Sequence, residues 1–203
     1  MPLRNRVRPD GEIVADPTRG LFMGNRGRLL GRAGEIARQW QVRRWICCVT
    51  SFRDRRVPVM SERRYTALFF LDEATALAAG HRPCAECRWG DFNRFIDAWR
   101  TANGPAVGRI YVDAIDRLLH AQRIDRARGA QPAELVNGAM VSTGKGEAYL
   151  YWYGRFHRWT PLGYENPVDR LAEDWRLLTP RATLATLREG YRPVIHPSLE
   201  SPL

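Results

Sequence analysis

Cys84 and Cys87 stand two residues apart in the run Gly80-His81-Arg82-Pro83-Cys84-Ala85-Glu86-Cys87, and the other two cysteines of the chain, Cys47 and Cys48, are adjacent. Two thiolates separated by two residues in a turn can aim both sulfurs at one ion, and thiolate with imidazole is a donor set that zinc prefers. Cys84 and Cys87 are therefore read as ligands of Zn. His81 extends the run to His-x-x-Cys-x-x-Cys and is a candidate third ligand, the alternative being that it packs beside the turn. Adjacent residues on a strand face opposite ways, so one of Cys47 and Cys48 is expected at the metal and the other in the core. That gives three thiolates, unless a bulge brings in both and closes a four-thiolate site. The fourth position falls to His81, to His120, His157 or His196, or to water, a choice that separates a structural site from a catalytic one.

Redox chemistry fits the same cysteines less well. A thioredoxin-like motif needs a strand before it and a helix beginning within it, whereas here a helical segment comes first and stops at Gly80. Four cysteines among 203 residues are also too few for a disulfide scaffold.

The elements that must position these groups can be read from local pattern. Trp45 to Phe52 reads as a buried strand, Val57 to Met60 as a short partner, and Tyr65 to Phe70 as a third strand. Asp72 is placed to cap a helix running to Ala79, with Glu73 in its first turn and Gly80 ending it. A short helix is expected over Gly34 to Arg43. Asp91 to Ala102 reads as an amphipathic helix burying Phe92, Phe95, Ile96 and Trp99, and Asp113 to Arg126 as another burying Ile115, Leu118 and Leu119. Asp113, Asp116, Arg117 and His120 then share its opposite face, where two carboxylates beside a His could position a base or a second metal, the simpler reading being an ordinary solvated face. From Glu134 the period changes to two, with a Gly-Lys-Gly turn at 144 to 146, Tyr149, Tyr151 and Tyr153 on one face, and Leu150 and Trp152 on the other. Those rings are a base-stacking platform or, more simply, the apolar face of a sheet. A last helix is expected over Pro180 to Glu189.

The expected fold class is α+β: a small zinc-stapled helix and strand module packed with an antiparallel hairpin sheet and further helices. Its expected divisions are a basic loop-rich arm over 1–32, the zinc module with following helices over 33–130, and the hairpin sheet with its helix over 131–203, packed as one unit. The sequence "ATLREGYRPV" near residues 183 to 194 echoes "TALAAGHRPC", but Gly followed by Arg-Pro is a generic helix stop, and only the first copy carries thiols.

Net charge is +10, and residues 1 to 64 hold 15 Arg against 6 acids. A basic surface of this kind points to phosphate, hence to nucleic acid. Arg26, Arg28, Arg43, Arg44, Arg55 and Arg56 are the candidate contacts, with Gly20, Gly24, Gly27 and Gly31 letting backbone approach closely. No apolar run reaches membrane-span length and the first residues lack a signal peptide's apolar stretch, so a cytoplasmic protein without membrane association is expected. A phosphate-cradling lysine loop, a dinucleotide-binding glycine motif and a Gly-x-Ser-x-Gly elbow are absent from the sequence.

Phe69, Phe70, Glu73-Ala74 and Ala78-Ala79-Gly80-His81-Arg82-Pro83-Cys84-Ala85-Glu86-Cys87, taken in order, resemble the metal-binding domain of the Ada-type DNA repair proteins. The resemblance spans about residues 45–88. It implies zinc held by two upstream and two downstream ligands, DNA as partner, and an upstream thiolate that takes a methyl group from a phosphotriester. Two departures stand out: Cys47 and Cys48 are adjacent rather than three residues apart, and His81 replaces a usual aromatic residue. Zinc carries over more directly than the methyl-acceptor role. The expected function is a zinc protein engaging nucleic acid, DNA first, in repair or processing by phosphodiester or alkyl-transfer chemistry. Two alternatives stay open: a non-enzymatic module in which zinc is a staple, and a zinc hydrolase unrelated to nucleic acid.

Overall fold

The computed structural model describes residues 2–31, 34–53, 64–104, 112–124, 134–172 and 174–199. The strand expected over Val57 to Met60 and the candidates Arg55 and Arg56 lie outside the described residues. The fold is α+β, with one mixed sheet and one antiparallel sheet.

The first 32 residues, expected as a loop-rich arm, contribute three short strands: β1 (Arg4–Val7), β2 (Ile13–Ala15) and β3 (Phe22–Asn25). Each is brief, and Asn5, Val7, Ile13 and Phe22 turn inward while Arg4, Arg6, Val14, Ala15, Met23 and Asn25 are less buried, which is the period of a half-buried strand. They join β4 (Ile46–Val49), β5 (Leu68–Phe70) and β6 (Arg82–Pro83) in a six-stranded sheet of order β2-β1-β5-β3-β4-β6. β1–β5 and β4–β6 are parallel pairs and the remaining pairs are antiparallel.

The segment 34–43 is not a helix. Its backbone pairs instead with the stretch after β3: Ala37 N–H donates to Leu29 O at 2.9 Å, and Gln41 and Val42 donate to Arg26 O at 2.8 and 3.1 Å. Non-local partners thereby satisfy donors that a helix would have used internally.

Helix α1 (Glu73–Ala78) is buried along its whole length. Leu77 faces a core built with Phe95, Trp99, Ile115 and Leu119, Ala76 and Ala79 face the first sheet, and Ala74 and Ala78 face Met140 and Leu150 of the second. A helix enclosed on three sides must carry small side chains, hence its alanines. Asp72 caps it as expected, accepting from Thr75 N–H at 2.8 Å. Gly80 ends it at φ +86°, where a Cβ would lie 2.5 Å from the Arg123 side chain.

Helix α2 (Trp89–Asn103) buries Phe92, Phe95, Ile96 and Trp99 as expected. Helix α3 (Val112–Ile124) departs from expectation: Leu118 is exposed, and Asp116 and His120 are buried. Asp116 accepts two hydrogen bonds from Arg82, each at 2.8 Å, and this bidentate pair draws the carboxylate inward.

The second sheet, of order β10-β9-β8-β7-β11, is antiparallel throughout: β7 (Met140–Thr143), β8 (Ala148–Trp152), β9 (Arg155–Thr160), β10 (Gly163–Val168) and β11 (Trp175–Leu177). Tyr149 and Tyr151 pack with Phe156 and Leu177, and Leu150 with Trp152 and Trp159 in a separate cluster, so the alternation gives two packed faces through Trp152, whereas Tyr153, expected beside the other two tyrosines, lies in the turn after β8 at φ +46° and is exposed. Helix α4 (Arg181–Arg188) follows, and Gly190 ends it at φ +97°. Beyond it, the echo of the first helix stop reaches α1: Tyr191 OH donates to Glu73 at 2.6 Å and Val194 N–H at 2.9 Å, while His196 N–H donates to Asp72 at 3.1 Å. No helix among the described residues is long and apolar enough to cross a membrane.

Candidate metal centre

Strand β4 carries Cys47 and Cys48 on opposite faces. Strand β6 runs parallel beside it with Ile46 opposite Arg82 and Cys47 opposite Pro83, and Cys84 N–H donates to Cys47 O at 2.9 Å. That registration delivers Cys84 to the end of β4, next to Cys48. The chain then turns through residues 85–88, closed by Arg88 N–H to Cys84 O at 3.2 Å, and brings back Cys87 before α2 begins.

The result is a cluster in which the sulfurs of Cys48, Cys84 and Cys87 all lie within 4.8 Å of one another, and which could hold a metal ion. Sulfurs around a tetrahedral ion with bonds of about 2.3 Å stand roughly 3.8 Å apart, so little movement is needed. No fourth His, Cys or carboxylate joins the cluster among the described residues.

Backbone donors favour charge on these sulfurs. Glu86 N–H donates to Cys84 Sγ at 3.4 Å. The thiols of Cys48 and Cys87, and then the N–H groups of Cys87 and Glu86, hold the Cys84 thiol far below its ordinary value, while Cys84 and Cys87 in turn push Cys48 up. Three sulfurs so close share their protons until a cation replaces them.

The cluster forms part of the wall of a cavity of about 280 Å³, shared with Met23, Tyr65, Phe69 and Glu86. Burial, and then Cys48, raise the Tyr65 phenol, so it stays a protonated donor beside the sulfurs. Met23 and Phe69 come from β3 and β5, whose pairing register places them opposite one another. Neither Tyr65 nor Met23 stands out in the sequence as a site residue, and the four residues of β3 are too few for a period that would point to Met23.

The other candidate ligands are elsewhere. Cys47 is fully buried in the sheet core, and its Sγ accepts from Arg88 Nη1 at 3.4 Å. Burial pushes its thiol up, the state of an inert core cysteine. His81 is also buried, its ring 4.6 Å from that of Phe70 and 5.1 Å from that of Trp45, with Nε2 accepting from Arg26 Nε at 3.4 Å. His120 belongs to α3, and His157 and His196 to the second sheet and the segment beyond α4.

Arg88 carries no motif of its own, yet it links the site to the core: it pairs with Glu73 at 2.8 Å and Asp91 at 2.8 Å as well as reaching Cys47. Its place directly after Cys87, three residues before Asp91, is the one local signal of that role. Among the arginine candidates, Arg28, Arg43 and Arg44 are exposed at the end of the β3–β4 pair remote from the sulfurs. Arg26 is 1% exposed, with its guanidinium 4.0 Å over the Trp45 ring and Nη1 donating to Gly11 O at 2.9 Å. Such a side chain positions its neighbours and does not reach a phosphate.

No protein-family model, curated protein or solved structure matches the chain.

Proposed function

We propose that the protein is a zinc-thiolate protein that engages nucleic acid, with DNA as the first expected partner, and that its metal keeps one position facing the cavity. The observation that carries this reading is the convergence of three sulfurs on the wall of an open cavity with no fourth protein ligand among the described residues. Three soft donors, one of them supported by a backbone N–H, fit zinc better than a hard oxygen-seeking cation. Zinc held there would supply a Lewis acid for a phosphoryl oxygen or an activated thiolate for alkyl transfer.

The neighbouring residues supply the rest. Tyr65 offers a protonated hydroxyl, while Met23 and Phe69 give the cavity an apolar side that limits water. Arg28, Arg43 and Arg44 are exposed just after β3 and just before β4, the strand that holds Cys48, and form the basic surface on which a polyanion would be held. The resemblance to Ada-type metal domains supports both zinc and DNA.

Cobalt substitution tests the metal reading. The Co(II) protein should show sulfur-to-metal charge transfer of three thiolates and a ligand-field spectrum that shifts when a small anion is added. A spectrum of four thiolates, insensitive to anions, would establish the staple alternative. A purified protein that retains no zinc would end the proposal.

A further inference from the structure

On the far side of the first sheet from the sulfurs, a second cavity of about 380 Å³ opens between the start of β2, the segment before β4 and the end of α3. Its walls include Trp40, Trp45, His120, Arg26 and Arg123, with Asp10 and Glu12 at one side. The volume falls within the about 300–1,000 Å³ of small-ligand sites. We propose that this cavity receives an unstacked nucleobase from a single-stranded nucleic acid, with Trp40 as the stacking surface. The inference rests on the nucleic-acid reading and adds to it a second site and a strand state.

Trp40 is 41% exposed, large for a tryptophan, although its ring is fixed edge-on by His120 at 4.4 Å between centroids. An indole so anchored loses little freedom when a base stacks on it. The floor beneath it is rigid: Trp45 is buried, and the guanidinium carbons of Arg26 and Arg123 stand 4.0 and 4.1 Å over its ring.

Arg123 also fixes the wall that carries Trp40. Both its terminal nitrogens donate to Arg43 O at 3.2 Å, and its Nε donates to Leu119 O at 3.0 Å. The chain from Arg38 to Arg44 reads Arg-Gln-Trp-Gln-Val-Arg-Arg, and every one of these residues is exposed. Arginines on both sides of an exposed ring are the arrangement that holds a single strand, with guanidinium groups on phosphates and a ring under the base.

The polar lining suits a base edge. His120 is 8% exposed, and its Nδ1 has no hydrogen-bond partner among the described residues. A buried ring nitrogen without a partner is costly unless something occupies the cavity it lines. Bases present both acceptors and N–H donors, the ring N–H of thymine among them, which an imidazole nitrogen and the carboxylates of Asp10 and Glu12 can answer. Duplex DNA keeps its bases stacked and cannot offer one to this cavity without flipping it out.

The test compares a fluorescently labelled single-stranded oligodeoxythymidine with a labelled duplex, using the full-length, metal-loaded protein and its Trp40→Ala and Trp40→Phe variants. Trp40→Ala should weaken single-strand binding by about five- to a hundred-fold, the loss of one stacked base, and leave duplex binding within about twofold. Trp40→Phe should recover most of the loss, because a ring is restored. Unchanged single-strand affinity in Trp40→Ala would overturn the base site while leaving the nucleic-acid reading standing, provided duplex binding falls with added salt. Salt-insensitive or absent binding of both probes by the wild-type protein would overturn that reading and this inference with it.

Discussion

Cys47 and Cys48 are covalent neighbours whose sulfurs belong to different environments: Cys48 Sγ joins Cys84 and Cys87, and Cys47 Sγ accepts from Arg88 on the core side of β4. Strand alternation alone separates them. The hydrogen bond from Cys84 N–H to Cys47 O at 2.9 Å sets the register between β4 and the turn, and it selects Cys48 as the cysteine beside Cys84. Strand alternation and this register together set which thiol joins the cluster and which packs in the core.

Replacing the two cysteines one at a time should therefore give opposite results. Cys48→Ser should lower zinc affinity by more than about 10- to 100-fold, the range that changes behind a ligand cost. Cys47→Ala should retain the metal and lose about 1 kcal/mol of stability, as a small core truncation does. Metal content after gel filtration and urea unfolding measure the two effects. Loss of zinc in Cys47→Ala with retention in Cys48→Ser would reverse the assignment.

Glu73 and Arg88 form an ion pair at 2.8 Å with their side chains 0% and 2% exposed. Glu73 also accepts from Tyr191 and Val194, so removing its cation leaves a buried carboxylate with only neutral donors. Arg88→Met should destabilise the protein by about 3–5 kcal/mol, the usual result of orphaning one member of a buried pair. Adding Glu73→Gln to that variant should restore part of the loss. Chemical denaturation of the wild type, Arg88→Met, Glu73→Gln and the double variant measures the coupling, and additive losses would show that the two groups do not interact.

Much of this architecture is legible in the sequence where the determinants are local. The cap at Asp72, the stop at Gly80, the buried stripe of α2 and the paired thiols of Cys84 and Cys87 each follow from residues within one or two turns. Partners distant along the chain leave no such trace. Helical period places Asp116 opposite Ile115 but cannot show Arg82 waiting for it. The segment 34–43 has helix-compatible residues, yet its donors go to Leu29 and Arg26 carbonyls. Arginine richness likewise suggests a phosphate role for Arg26, which is spent on Trp45, Gly11 and His81. The strands of the first 25 residues stay hidden because three or four residues are too few to show a period.

His120 should make stability depend on pH near neutrality. Burial first, and then the charges of Arg123 and Arg43, lower its pKa from the ordinary 6.5. The unfolded chain then takes up a proton as pH falls below about 6.5, while the folded ring stays neutral to a lower pH. The contribution is complete above about pH 6.5 and is lost as pH falls through the folded value. His157 is lowered in the same direction, by burial and then Arg155, so His120→Asn should remove only part of the slope. Unfolding free energies of wild type and variant across this range measure it, with the imidazole resonances as a check. Identical pH slopes would show that His120 does not titrate differently on folding.

Salt dependence distinguishes arginines that touch phosphate from those that build the fold. Neutralising one phosphate-binding arginine should reduce the slope of log affinity against log salt for duplex DNA by about 0.9. Arg28→Gln, Arg43→Gln and Arg44→Gln lie on exposed positions and should reduce affinity and slope without changing the melting temperature. Arg26→Gln should behave differently, because it withdraws a guanidinium from the Trp45 face and a donor from Gly11 O in a buried setting. It should lower stability, and the folded fraction should retain the wild-type salt slope. Anisotropy titrations at several salt concentrations, with melting curves on the same samples, separate the two outcomes. Exposed-site variants that bind with an unchanged slope would show that the basic surface does not meet phosphate through these three residues.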